Sequence, residues 1–162
     1  MKTPQYINAN GRLMDLSEPQ VMGILNVTPD SFYAGSHGVT EGYIIDRIHQ
    51  IMNEGASIID IGACSTRPGA DEVSIEEEMS RLRMGLELIR KHRPDAIVSV
   101  DTYRADVAKM CVEEYGAAII NDISAGQMDE QMFPTIARLG IPYIIMHMKG
   151  TPKDMQVNPQ YD

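Results

Sequence analysis

Short apolar runs at residues 21–27, 57–62, 96–101, 118–123 and 142–148 alternate with longer stretches whose apolar positions recur at helical spacing. The runs are almost continuously apolar, the pattern of strands covered on both faces. In the first long stretch Ile44, Ile45, Ile48, Ile51 and Met52 share one helical face, which Gly55 closes. In the second, Ile75, Met79, Leu82, Leu86 and Ile89 step by four and three behind a Ser74-x-x-Glu77 capping box. Val107, Met110 and Cys111 then lead to Glu114-Tyr115-Gly116, a third helix with a glycine stop. A fourth helix, over residues 129–139, must take Pro134 near its first turn. Ahead of all these, Asn10-Gly11 separates short alternating runs within residues 6–14, which predicts a hairpin because both turn positions tolerate positive φ. The order is hairpin, then β-α-β-α-β-α-β-α-β. Such alternation means a parallel sheet with right-handed crossovers. A doubly wound sheet and a (β/α)₈ barrel satisfy it equally.

Each apolar run ends in residues able to hydrogen-bond or carry charge. The first leads into Asn26-Val27-Thr28-Pro29-Asp30-Ser31-Phe32, the second into Cys64-Ser65-Thr66-Arg67-Pro68-Gly69, the third into Asp101-Thr102, the fourth into Asn121-Asp122 and the fifth into His147. In open α/β sheets and in barrels, ligands bind outside the carboxyl ends of the strands. Five runs ending this way point to one shared site. Taken singly, most of these residues are ordinary helix N-caps and turn formers. Asp101 and Asn121 differ because each follows an apolar run directly. A carboxylate that only accepts and an amide that also donates suit a flat heterocycle with an amino-pyrimidinone edge. Ser65-Thr66-Arg67-Pro68-Gly69 sets two hydroxyls and a guanidinium beside a glycine, which are tools for phosphate, although a surface turn with a salt-bridged arginine fits the same spacing. His147, between Met146 and Met148, reads as a satisfied core residue, and His37, His49 and His92 read as surface residues.

Charge narrows the choice. The chain carries a net charge of −9 and no Lys/Arg cluster, so nucleic acid and anionic membrane surfaces are not expected partners. An anionic ligand must be held by a few placed groups. No apolar run follows Met1-Lys2, and none approaches a membrane span, so a soluble cytoplasmic protein is expected. Cys64 and Cys111 form no metal spacing and no disulfide framework. There is no GxGxxG, Walker loop, HExxH or calcium loop, and nothing in the spacing recommends Cys64 as a nucleophile with His147 as its base.

Taken together the segments resemble the dihydropteroate synthase family. Met22-Gly23-Ile24-Leu25-Asn26-Val27-Thr28-Pro29-Asp30-Ser31-Phe32 is similar to its opening strand and first loop, and Ser65-Thr66-Arg67-Pro68-Gly69-Ala70 to its second loop. Val100-Asp101-Thr102, Ile120-Asn121-Asp122-Ile123-Ser124, and Met146-His147-Met148 with Gly150-Thr151-Pro152 are similar to its next three strand ends, in the same order. Three places depart from the common pattern: Tyr33-Ala34-Gly35-Ser36, Gly62-Ala63-Cys64 and Lys149, all in or beside loops.

The resemblance selects the barrel. It implies a transferase of folate biosynthesis that condenses 6-hydroxymethyl-7,8-dihydropterin pyrophosphate with p-aminobenzoate, by loss of pyrophosphate to a pterin cation that the arylamine attacks. It also implies Mg²⁺ on the pyrophosphate, with Asn26 helping to hold the metal, and a homodimer at full length. By the same resemblance Asp101 and Asn121 hydrogen-bond the pterin while Ile123 and Met146 pack on its faces. Thr66 and Arg67 meet the pyrophosphate, Phe32, Ser65 and Pro68 line the p-aminobenzoate pocket, and Asp30 steadies the cation. Asp30, Arg67 and Asp101 are the expected catalytic residues.

A (β/α)₈ barrel takes typically about 250 residues, whereas this chain has 162 and ends in the loop after its fifth run. The expectation is one domain over residues 1–162, with the hairpin at 1–18 and barrel units one to five at 21–162, truncated after the fifth strand. The family's second pterin-binding Asp, its glycine-loop Lys, and its Arg and His for pyrophosphate would then lie beyond Asp162. Five parallel strands leave two open edges, so the 162-residue chain alone is expected to be inactive, poorly soluble or obligately associated. Two other functions remain open: a methyltetrahydrofolate methyltransferase-like pterin enzyme, and a non-catalytic pterin-binding or interaction module.

Overall fold

The computed structural model describes residues 5–28, 40–64 and 73–150. A two-stranded antiparallel sheet comes first, β1 (Tyr6–Ala9) and β2 (Arg12–Asp15). Asn10 and Gly11 turn between them at φ 52° and 81°, and the Asn8 side chain accepts from Gly11 N–H at 2.8 Å. A turn with two positive φ values matches the twist of its flanking strands, so the Asn-Gly signal is realised as expected.

Five parallel strands follow: β3 (Met22–Asn26), β4 (Ile58–Gly62), β5 (Ile97–Asp101), β6 (Ile119–Asp122) and β7 (Tyr143–Ile145). They pair in strict chain order, β3-β4-β5-β6-β7. A doubly wound sheet reverses its strand order at a switch point, and none occurs here among the described residues. The helices α1 (Glu41–Asn53), α2 (Ile75–His92), α3 (Ala105–Tyr115) and α4 (Met132–Leu139) connect the strands, and successive helices pack on one another in a single layer. Sequential parallel order with one helical layer is the arrangement of a (β/α) barrel wall.

The period-2 alternation of strands assigns the two faces. Leu25, Ile59, Ile61, Val100 and Ile120 point outward and are buried with Ile44, Ile48, Leu82, Leu86, Val107 and Met132 of the helices. Contact there is close. A Cβ on Gly23 would stand 2.3 Å from Cγ2 of Ile51 in α1, and one on Gly85 in α2 would stand 2.4 Å from Cδ1 of Ile61. At the amino-terminal end of the inner face a second cluster forms, in which Ala9 and Met14 of the hairpin cover Ile58, Ala118 and Ile119. Asn10 Nδ2 donates to the Gly116 carbonyl at 3.1 Å, and the Arg12 guanidinium donates to the Asp95 carbonyl. Both carbonyls belong to the segments entering β5 and β6, so the hairpin closes the end of the sheet opposite the polar strand ends.

The helices follow their signals with three differences. Ser74 caps α2, its hydroxyl accepting from Glu77 N–H at 3.2 Å, but the Glu77 carboxylate pairs with Arg81 at 2.8 Å. The buried stripe of α2 includes Glu78, whereas Ile75 is 41% exposed. Helix α4 begins at Met132, not at residue 129, because the Asp129 carboxylate accepts from Gln131 N–H (2.9 Å) and from Ala105 N–H at the start of α3 (2.7 Å). A side chain so engaged holds its own segment in a turn. The expected cover on both strand faces holds for β4, which is buried throughout. It fails at the two edges, where Ile24 and Ile145 are each 58% exposed; β7 also stops at Ile145, three residues short of the apolar run. Among the described residues no helix is long and apolar enough to cross a membrane.

Because Ile51 is β-branched and buried, it has little room to yield to a new methyl group at Gly23. Gly23→Ala is expected to destabilise the protein by about 1–3 kcal/mol, read as a lower urea midpoint with an unchanged slope. An unchanged midpoint would show that β3 and α1 separate freely.

Candidate active site

Parallel register sets Asn26 beside Gly62, Gly62 beside Asp101, Asp101 beside Asn121 and Asn121 beside Ile144. Partners in register point to the same face. One row of side chains therefore crosses the inner face at the carboxyl ends of all five strands. Gly62 leaves a gap in it: a Cβ there would meet Asp101 Oδ2 at 3.4 Å and Asn26 Oδ1 at 3.7 Å. The absence of a side chain on Gly62 brings the Asn26 amide and the Asp101 carboxylate to a common space. Asn26 is exposed, and Asp101 and Asn121 are half-buried.

Beyond the row the backbone stays paired. Val27 N–H donates to the Gly62 carbonyl (2.8 Å), Thr102 N–H to Asn121 (3.1 Å) and Met146 N–H to Asp122 (3.1 Å). Ile123, half-buried, and Met146, 37% exposed, thus flank the end of β6. Asp30, Phe32, Ser65, Thr66, Arg67 and Pro68 lie outside the described residues, as does His37.

Asp122 belongs to the other face. It is fully buried; one carboxylate oxygen accepts from Ser124 N–H (2.7 Å) and Ser124 Oγ (2.8 Å), the other from Gly126 N–H (2.8 Å) and the Tyr143 hydroxyl (2.5 Å). Its work is to shape the turn after β6. His147 is exposed, contrary to the core assignment, because β7 ends before it. His49 and His92 are half-buried instead of superficial, their rings meeting edge to face at 5.8 Å between α1 and α2. For Cys64, burial first and then the Glu78 carboxylate push the thiol up to about 12, the wrong direction for a nucleophile.

Behind the row lies an ion pair that the helical periodicity did not reveal. Glu78, 1% exposed, accepts from Thr102 Oγ1 at 2.8 Å and from Arg104 Nη1 at 2.7 Å. Arg104 Nη2 donates to the Val73 carbonyl at 2.7 Å, while Arg81 Nη1 donates to the Ala63 carbonyl at 3.1 Å. Carbonyls on both sides of residues 65–72 are thus held by arginines based on α2 and on the segment after β5. A glutamate inside a Glu76-Glu77-Glu78 triplet gives no sign of burial, since only its position on the helix face distinguishes it.

Asp101 itself is pushed up to about 7, chiefly by burial and then by the charges of Asp60 on β4, Glu78 on α2 and Asp122 on β6. The ordinary value is 3.8. Between the two the folded protein holds a proton that the unfolded chain has lost, so this group's contribution to stability is full below about pH 4 and is lost as pH rises toward 7. Asp101→Asn is expected to remove that slope, making the variant gain on the parent between pH 4.5 and 8 in urea titrations. Parallel profiles would refute the shift. Glu78→Ala strands a largely buried guanidinium and should cost about 3 kcal/mol or more, measured the same way.

A metal held by protein groups alone has no support here: no group of three or more His, Cys, Asp or Glu among the described residues could hold one. The Asn26 amide oxygen does suit a hard cation that brings most of its oxygen ligands with it.

Residues 22–162 match the family described as pterin binding enzyme. Dihydropteroate synthase of Escherichia coli (strain K12) is 46% identical over 157 residues, which are 95% of this chain and 54% of that protein. The crystal structure of Yersinia pestis dihydropteroate synthase in complex with a sulfonamide drug superposes with a TM-score of 0.85 at 43% identity, covering 98% of this chain and 56% of that one. The Xanthomonas albilineans dihydropteroate synthase structure with 4-aminobenzoic acid gives 0.83 at 36% identity, covering 99% and 55%. The chain thus spans about half the length of these bacterial relatives. With its sequential parallel strands and the polar row at their carboxyl ends, it belongs to the pterin-binding enzyme family.

Proposed function

We propose that the protein carrying this chain is a dihydropteroate synthase. It joins 6-hydroxymethyl-7,8-dihydropterin pyrophosphate to p-aminobenzoate and releases 7,8-dihydropteroate and pyrophosphate. The observation that carries this reading is the row Asn26–Gly62–Asp101–Asn121, which sets an amide, a gap, a carboxylate and a second amide side by side. An amino-pyrimidinone edge carries adjacent donors and acceptors, so a carboxylate next to an amide answers it, and the gap at Gly62 admits the flat ring. Ile123 and Met146 supply apolar contact to its faces.

The chemistry asks little of acids and bases. The bond from the pterin methylene carbon to the pyrophosphate oxygen breaks, and both electrons leave with the oxygen. The carbon is left as a cation conjugated with the ring. The amine nitrogen of p-aminobenzoate then bonds to that carbon and sheds a proton. Rate therefore depends on placed charge. The Asp101 carboxyl group would hold the pterin and, in its ionised form, would favour positive charge in the ring. Thr66 and Arg67 would grip the pyrophosphate by neutral and charge-assisted hydrogen bonds, Phe32, Ser65 and Pro68 would receive p-aminobenzoate, and Asp30 would face the cation. Mg²⁺ on the pyrophosphate would draw negative charge from the leaving oxygen, with the Asn26 amide as one of its ligands.

The direct test incubates the 162-residue chain, and the product of the longest reading frame that contains it, with Mg²⁺, the pterin pyrophosphate and p-aminobenzoate. Dihydropteroate is read by mass spectrometry. Product from the longer protein alone is expected. Product from the 162-residue chain would overturn the expectation that it is inactive by itself. Product from neither, with both folded and still binding pterin, would favour a pterin-binding module over an enzyme.

A further inference from the structure

Two polar side chains of the inner face lie outside the roles given above. Asp60 and Ser99 stand beside each other on β4 and β5, two residues before Gly62 and Asp101, and so form the layer directly beneath the row. Both are nearly sealed from solvent, at 5% and 0% exposure. One Asp60 oxygen accepts from Asn121 Nδ2 at 3.1 Å. The other Asp60 oxygen and the Ser99 hydroxyl meet no hydrogen-bond partner among the described residues. A carboxylate in the middle of a fully buried strand is costly where it is incompletely bonded. Packing does not ask for it, since an apolar side chain would serve the sheet better at this depth. Its one hydrogen bond points up into the row.

That bond has a consequence for Asn121. The terminal torsion of asparagine is broad and two-fold, so an unconstrained amide presents oxygen or nitrogen to a neighbour with little preference. An ionised carboxylate only accepts. Asn121 must therefore turn its NH₂ group toward Asp60, because the reversed amide would set oxygen against oxygen. The planar amide then carries its carbonyl oxygen away from Asp60.

We infer that Asp60 is a positioning residue: it fixes the Asn121 amide in one orientation and so decides which donor–acceptor pattern of a heterocycle the row accepts. This rests on the proposal that Asp101 and Asn121 take a pterin edge, and it adds to that proposal the group that makes the edge specific. In this role Asp60 acts through Asn121.

The probes are pterin and lumazine, two pteridines that differ by an amino group against a carbonyl at one ring position. Their affinities for the protein in its longest reading frame are measured by titration calorimetry, for wild type and for Asp60→Asn. An asparagine at position 60 both donates and accepts, so either orientation of Asn121 becomes available. The wild-type preference for pterin over lumazine is expected to fall by about tenfold or more in Asp60→Asn, with the thermal midpoint little changed. A folded Asp60→Asn protein that keeps the wild-type selectivity overturns the inference, even if it binds both probes more weakly. A second measurement needs no variant at position 60. In ¹⁵N-labelled wild type, with the Asn121 side-chain signal assigned by its loss in Asn121→Ala, one amide proton should exchange markedly more slowly than the other. Two protons exchanging alike would refute the fixed amide. Wild-type protein that binds neither pteridine would sink the pterin reading while leaving the exchange measurement to decide on Asp60.

Discussion

Everything at the carboxyl ends of the strands depends on parallel register. Asn26, Gly62, Asp101 and Asn121 come from four separate strands, and only the pairing of each strand with the next brings them into one row. Because side chains alternate with period two, a one-residue slip of any strand would carry its polar residue to the outer face, beneath the helices. Packing forbids that slip. Leu25, Ile61, Val100 and Ile120 are each buried against the helical layer, and displacing them would put apolar side chains on the inner face and polar ones in the core. The hydrophobic set on one face therefore positions the chemistry on the other.

This division explains what was legible in the sequence. The strands and three of the helices announced themselves because their apolar positions are what packing uses, and the hairpin because Asn-Gly has few other conformations so favourable. Strand order was not legible. Sequential pairing and a switch point demand the same apolar runs, and only the sheet itself, or likeness to a known family, separates them. Asp101 and Asn121 stood out as polar residues directly following apolar runs. Asp122, adjacent to Asn121 and equally polar, faces the opposite way and organises a turn through Ser124, Gly126 and Tyr143. Nothing short of period-two geometry distinguishes those neighbours. His147 was misjudged for a related reason: its apolar flanks suggested a strand interior, but the strand stops at Ile145.

Two residues were missed although a signal was present. Asp60 interrupts Ile58-Ile59-Asp60-Ile61, and Ser99 interrupts Ile97-Val98-Ser99-Val100. A single polar residue inside an otherwise apolar strand is the sequence trace of a polar layer within a barrel. It is easily passed over when attention goes to strand ends, where ligands bind. Glu78 left no comparable trace, since its neighbours Glu76 and Glu77 are exposed and a glutamate in the first turn of a helix is favourable on its own account.

The same layer raises an electrostatic question that the fold answers in part. Asp60, Glu78 and Asp122 place negative charge around one strand end, enough together with burial to push Asp101 up to about 7. Arg104 and Arg81 are close, but their guanidinium groups are committed to Glu78 and Val73, and to Glu77 and Ala63. Among the described residues the inner face at these strand ends therefore lies in a negative field, with Arg104 and Arg81 already engaged. Such a surface favours a ring that presents N–H donors, and favours it more as positive charge develops there. It also repels a diphosphate. In the proposed reaction that repulsion would be useful, because the group that leaves as an anion would sit at the other end of the same substrate, away from these carboxylates. An acidic floor under the ring, with cationic groups at the departing oxygen, would pull the two halves of the breaking bond toward the charges each is about to carry.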